Sequence, residues 1–416
     1  MNRRNFLTYS TSIASIPYMS EIAHALPRTK QTPKREKSVV FLFLGGGPTH
    51  IELTHANPNL TPEQRSVVGE IQTKITGYHL GGLFNEVAKY SDRMNFVKSY
   101  GHTNANHQNA VYWQFSGRIQ NQTAQTEPSI GSMITKNIGP NSPQNGIPTH
   151  LSITKTDGES AAWLGSLYNP FEANDRGVKD LTLSVTEEQL NRRINILNLV
   201  ENKTKWITDQ AWNDAKKIRY QALDLIRGDV KSAFEVKHEP DHMRDWYGRN
   251  FIGDSMLLAR RLIQNGGRYI NINYGGWDMH GDIKRNLESR VPPMDKAIAA
   301  FIQDICALGL EKQVLLVVTG DFGRTPKLNN GNNGSLPGRD HWAQLCTLFT
   351  FGGEYEQGRV IGKSDRLESV KEENPFEPKD LAYTVLNHFG INGNTLVFTD
   401  NGGRPRYATE GGRLIL

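Results

Sequence analysis

Three short stretches of this 416-residue chain gather acids and imidazoles at close spacing. Gly47-Pro48-Thr49-His50-Ile51-Glu52 sets a histidine and an acid two residues apart, and Gly276-Trp277-Asp278-Met279-His280 does the same in reverse order. Residues two apart face one way if the chain is extended, so either pair could offer both donors to one ion. The third stretch begins at Asp321, passes Arg324 and ends in Gly338-Arg339-Asp340-His341-Trp342. Imidazole nitrogens and carboxylate oxygens are the donors that Zn²⁺ and similar divalent ions accept. Such an ion could activate water or polarise an ester oxygen, while Arg324 and Arg339 would hold an anionic group. The plain alternative is that these acids cap helices and these histidines make ordinary loop hydrogen bonds. A fourth stretch, His102-Thr103-Asn104-Ala105-Asn106-His107, opens a helical pattern that ends near Gly117. Its unsatisfied first amides suit an anion or a nucleophile, or Asn106 simply caps the helix.

The elements around these stretches are those of an α/β protein. Val39–Leu44 and Val314–Val318 are continuous apolar runs, the mark of strands buried on both faces of a parallel sheet. Arg268–Tyr274 alternates Ile270 and Ile272 with Asn271 and Asn273, which predicts a strand with two unlike faces. Met94–Val97 reads as another short strand. Pro292-Pro293 is expected to open a helix in which Met294, Ala297, Ile298, Phe301 and Ile305 form one stripe, closed by Gly309. Pro378–Phe389 behaves likewise, with Gly390 after it. A strand, a helix and a strand in this order imply a right-handed parallel crossover, with ligands at the carboxyl ends of the strands. The fold expected is a three-layer α/β sandwich with a mostly parallel central sheet over 38–416, and with 171–265 as a helical cap insertion.

Weaker signals fall away. Gly253-Asp254-Ser255 echoes an esterase motif but sits in a helical pattern, where a nucleophilic serine would not be exposed. Gly45-Gly46-Gly47 lacks the Lys-Ser/Thr of a phosphate loop. Two cysteines, Cys306 on a helix and Cys346 in an expected strand, exclude a cysteine zinc cage and read as buried thiols.

Residues 1–25 join Arg3-Arg4-Asn5-Phe6-Leu7, a modest apolar stretch and Ala23-His24-Ala25, which predicts a cleaved export signal. The paired arginines point to the twin-arginine route, and hence to a periplasmic or secreted protein. A basic linker, 26–37, follows. Arg3 and Arg4 against Glu21, with five cations against Glu36 in the linker, account for the whole formal charge of +5. The remainder is formally neutral, so the positive balance says nothing of nucleic acid, and no aromatic-basic motif asks for one. No apolar run approaches the ~20 residues of a membrane span.

The order Phe-Leu-Gly-Gly-Gly-Pro-Thr-His, Gly-Gly-Trp-Asp-Met-His, Asp-Phe-Gly-Arg-Thr-Pro, Gly-Arg-Asp-His-Trp resembles the family called domain of unknown function 1501, whose members often carry twin-arginine signals. That family is similar to the alkaline phosphatase and sulfatase superfamily. The resemblance implies metal ligands at Asp278, His280, Asp321 and His341, with Glu52 as a displaced substitute for the acids that end the superfamily's first strand. It places His107 at the nucleophile position as acid/base or phosphoryl acceptor, and Arg324, Arg339 and His102 at the anion. Phe322 stands where a second histidine ligand is usual, which implies one ion: zinc first, manganese or calcium otherwise. The expected activity is hydrolysis of a phosphate or sulfate ester, of a small molecule or a glycan. The rival is a degenerate, non-catalytic member that binds an anionic glycan or a protein partner.

Overall fold

The computed structural model describes residues 36–416 apart from 120–126, 175–184, 332–334 and most of 204–228. The expected leader and all but the end of the linker lie outside the described residues. Ser38–Leu44 (β1) is buried along its whole length. Val40, Leu42 and Leu44 enter one apolar cluster, and Val39, Phe41 and Phe43 enter another. A strand with two apolar faces has to lie inside a sheet that is covered on both sides.

Met94–Val97 (β2), His150–Ser152 (β3), Phe171–Glu172 (β4), Tyr269–Asn273 (β5), Val314–Gly320 (β6), Leu348–Gly352 (β7) and Arg359–Ile361 (β8) complete that sheet, in the order β8-β2-β7-β6-β1-β5-β3-β4. β1 pairs in parallel with β5 and β6, while β7 runs against both of its neighbours. Five helices cover it: His107–Ser116 (α1), Ile130–Ile138 (α2), Phe251–Gln264 (α3), Ile283–Ala307 (α4) and Pro378–His388 (α5). The buried sides of α3 and α4 share the cluster of Val40 and Leu42, whereas α1, α2 and α5 share that of Phe41 and Phe43. The result is a three-layer α/β sandwich with a mostly parallel sheet, as the apolar runs predict. No helix among the described residues is long and apolar enough to cross a membrane.

Local expectations needed correction in two places. α4 begins at Ile283, so Pro292 and Pro293 lie inside it instead of opening it. Ile283, Leu287 and Val291 extend the apolar stripe upstream, and their burial outweighs the ~3 kcal/mol that an interior proline costs. Asn271, on the polar face expected of β5, is fully buried and bonds Thr154, Thr156 and Glu159. Cys346 precedes β7 instead of lying in a strand, and burial pushes its thiol up to about 12. Both cysteines are free. The stretch expected as an insertion opens with β4 and closes with α3, and carries the helix Glu187–Lys203 between them.

Because β1, β5 and β6 are adjacent and parallel, the loops that follow them emerge at one edge of the sheet. All three ligand-rich stretches therefore start from the same place.

Candidate metal centre

β1 ends in Gly45-Gly46-Gly47, whose role is to admit a carboxylate. Gly46 and Gly47 have φ of +111° and +73°, and a Cβ at Gly46 would stand 2.7 Å from the backbone nitrogen of Asp278. The bare backbone instead donates Gly46 N and Gly47 N to Asp321 Oδ1 at 2.9 and 2.6 Å. The backbone carbonyl of Asp321 accepts from His102 Nε2 at 2.6 Å and from Gln114 Nε2 at 3.2 Å. With that residue fixed, its second carboxylate oxygen faces the head of α1, where His107 Nδ1 donates to Asp321 Oδ2 at 2.5 Å. Asn106 caps α1 by accepting from Asn109 N at 3.2 Å. Of the two readings of this helix start, the cap is the one formed.

Two more histidines are held in the same way. His280 Nδ1 donates to Asp340 Oδ1 at 2.7 Å, and His341 Nδ1 donates to the carbonyl of Ala105 at 2.9 Å. Carboxylates and carbonyls only accept, so each ring carries a proton on Nδ1, and in the neutral ring Nε2 presents a lone pair. Those lone pairs converge. His280 Nε2 and His341 Nε2 lie 3.0 Å apart, and stand 3.0 and 3.1 Å from Asp278 Oδ1. His107 Nε2 has no hydrogen-bond partner and lies 3.5 Å from Asp278 Oδ2. Donor atoms of His107, Asp278 and His341 all fall within 4.8 Å of one another. Lone pairs pointed at each other and at a carboxylate repel unless a cation lies among them. Donors on a tetrahedral ion with bonds of about 2.0–2.1 Å are spaced by roughly 3.3 Å, so the donor set fits zinc or a similar ion.

The charges agree. Asp278, Asp321 and Asp340 against Arg324 leave two negative charges around the cluster, which a divalent ion cancels. Burial raises the Asp278 carboxyl, but the hydrogen bond and charge of Arg324, with His341, overcome it and hold it at about 2. Its bond to His280 holds Asp340 below the usual carboxylate range. The Asp321 bond raises His107 against the opposing effect of its burial.

A family model described as Protein of unknown function (DUF1501) matches residues 36–416. The chain belongs to this family. Among curated proteins none matches. Similar solved structures include the lipoteichoic acid synthase LtaP from Listeria monocytogenes, with 12% identity and a TM-score of 0.40 over 86% of this chain and 72% of that one. Alkaline phosphatase from the Antarctic bacterium TAB5 has 13% identity and a TM-score of 0.39 over 87% of this chain and 100% of its own. The PsFucS1 sulfatase from Pseudoalteromonas sp. has 13% identity and a TM-score of 0.37 over 89% and 74%. Likeness this distant decides no chemistry, which the DUF1501 chain's own residues must carry.

Not every expected residue joins the cluster. Glu52 is fully buried against Arg339, with Nη2 to Oε1 at 2.8 Å, and is not a ligand. Arg339 Nε also donates to Glu52, Nη1 to the Thr325 carbonyl, and Nη2 to the carbonyls of Gln64 and Arg65, which leaves the group no face for an anion. Arg324 is likewise spent: its three nitrogens donate to Gly47 O, Arg339 O and Asp278 Oδ1, tying the loops together. His102 is buried, and burial lowers its pKa; it supports Asp321 and does not face a substrate. Asp321 reaches the cluster only through His107. His107, expected as acid/base or phosphoryl acceptor, stands among the donors.

Sequence reasoning passed over Asp340, although it adjoins His341, and the residues of a cleft beside His107. That cleft, of about 440 Å³, is lined by Gly45, Gln108, Lys155, Asp157 and Asn273 among others. Lys155 carried no motif that could have marked it.

Proposed function

We propose that the chain holds one divalent ion on His107, Asp278, His280 and His341, and hydrolyses a phosphate or sulfate ester seated in the adjoining cleft. The observation that carries this reading is the set of three imidazoles locked at Nδ1 with their Nε2 atoms turned on one carboxylate. When bound, such an ion would supply Lewis acidity toward an anionic ester oxygen. Asp321, Asp340 and the Ala105 carbonyl fix the tautomer and aim of the three rings, so the donors are arranged before any ion arrives. With Arg324 and Arg339 consumed inside the fold, Lys155 is, among the described residues that line the cleft, the cation left to meet the substrate's negative charge. Gln108 and Asn273 offer hydrogen bonds to the rest of it, and Phe43 and Val111 give the cleft an apolar wall. Zinc best suits a nitrogen-rich donor set, ahead of manganese or calcium.

One observation favours the rival. His107 heads α1 where the resemblance calls for a nucleophile, and its free nitrogen is turned to the ion site, so a protein that binds an anion without turnover is the second reading. Metal analysis of the purified mature protein, followed by a panel of aryl phosphates and sulfates, separates the two. About one divalent ion per chain with turnover of one ester class is expected. Metal without turnover moves the assignment to binding, and sub-stoichiometric metal sinks the metal-dependent hydrolase. We also propose export through the Arg3-Arg4 leader; the mature N-terminus, read by sequencing, should follow Ala25.

A further inference from the structure

We infer that Glu159 is a positioning residue for the substrate anion: a buried carboxylate beneath the cleft that holds the loop bearing Lys155. The inference rests on the anion-binding reading above and deepens it. β3 and β5 pair in parallel with Ser152 opposite Asn271, so both project toward the layer of α1 and α2. Glu159 is only 6% exposed and gathers three donors: Ser152 Oγ at 2.6 Å, Asn271 Nδ2 at 3.0 Å and His150 Nε2 at 2.9 Å. Asn271 Nδ2 also reaches Thr156 Oγ1 at 3.0 Å, and Glu159 N closes a turn onto Thr156 O at 3.0 Å. Residues 153–159 are thereby pinned at both sides of Lys155 and Asp157, which are themselves exposed. Gly158 lets the loop lie on α1, since a Cβ there would stand 2.9 Å from Val111 O. α1 begins at His107, so one rigid body carries a metal donor and the seat of the cleft's cation.

A polar group so far inside a sheet protein costs stability unless it is fully bonded, and an apolar residue would pack the same space. The cluster is understandable if what it secures is the place of the loop. Lys155 is a long side chain with much rotamer freedom, and its hold on an anion depends on a fixed base.

The test uses full-length, zinc-loaded protein with inorganic phosphate as the probe, measured by calorimetry. Lys155→Ala and Glu159→Gln should each weaken phosphate binding about tenfold with metal content unchanged. The double variant should bind within about twofold of Lys155→Ala alone, because Glu159 acts through that residue. Additive losses, or a Glu159→Gln protein that melts earlier yet binds phosphate like wild type, overturn the inference. If Glu159→Gln does not fold, Ser152→Ala removes a single donor and should weaken phosphate about threefold; no loss overturns the inference. Amide hydrogen exchange over 153–158 is the independent readout. It should quicken in Glu159→Gln while 277–281 stays unchanged, and an unaltered loop again overturns the inference. A wild type that binds no phosphate overturns the ester reading and the role of Lys155, and exchange alone then decides whether Glu159 holds the loop.

Discussion

His50-Ile51-Glu52 and Asp278-Met279-His280 are near mirror images in sequence, and the fold uses them in opposite ways. The first pair lies on a helical turn, His50–Leu53, and all four of its residues are buried. Residues two apart diverge in a helix, so Glu52 turns to Arg339 while His50 Nε2 donates to the Glu368 carbonyl at 2.9 Å. The second pair stays in a loop outside any helix, its side chains 48% and 41% exposed, and its donor atoms meet at 3.0 Å. The same residue types thus build a sealed support and an open centre. His50 spends its proton on a carbonyl inside the protein; each site histidine spends one on a carboxylate or a carbonyl, but its other nitrogen looks at the Asp278 carboxylate.

Four experiments would break or sharpen that contrast. The largest effect belongs to the sealed pair: Glu52→Ala leaves Arg339 charged and unpaired, and should cost about 3–5 kcal/mol in urea unfolding without lowering the metal content of folded protein. Loss of metal from that variant would mean that the two regions are one. His280→Ala should do the reverse, weakening zinc more than about a hundredfold while metal-free stability, read by thermal melting, stays near wild type. Asp340→Ala keeps every donor but frees the His280 ring, and zinc affinity by competition with a chelator should fall about 10–100-fold. The fourth effect is a slope. Burial, aided by neighbouring charge, lowers His50 and His55 to about 3 each. Above pH 6.5 both are neutral folded and unfolded and contribute nothing. As pH falls toward 3, the unfolded chain takes up protons that the fold refuses, so stability drops by up to about 1.4 kcal/mol per pH unit for each. Denaturation midpoints of metal-free protein between pH 4 and 8 should show this limb, and His50→Leu should flatten it.

The parts that sequence made legible were those with periodic or positional signals. β1 and β6 showed themselves as unbroken apolar runs, and their carboxyl ends located the site. Asp278, His280 and His341 were marked by residue type and by loop position. What stayed hidden depended on which way a side chain turns once the chain packs. Nothing in Thr-His-Ile-Glu says that it will wind into a buried turn. Nothing in Arg324 or Arg339 says that their nitrogens will be spent on carbonyls from other loops. Lys155 and Glu159 needed the third dimension, because Asn271, which bonds Glu159, and His107, which lines the same cleft as Lys155, lie far off in sequence.

The place of β1 in the sheet has a consequence for assembly. The first strand among the described residues is one of the innermost, and its two partners are β5, at 269–273, and β6, at 314–320. Contacts so distant along the chain close slowly, and here they cannot close until most of the chain exists. The Gly46-Gly47 cradle, the Asp278 loop and Asp321 therefore come together in one late event, with no partial centre to capture an ion beforehand. On the proposed function, metal loading would belong to the finished molecule, and refolding experiments should find zinc uptake trailing the burial of β1.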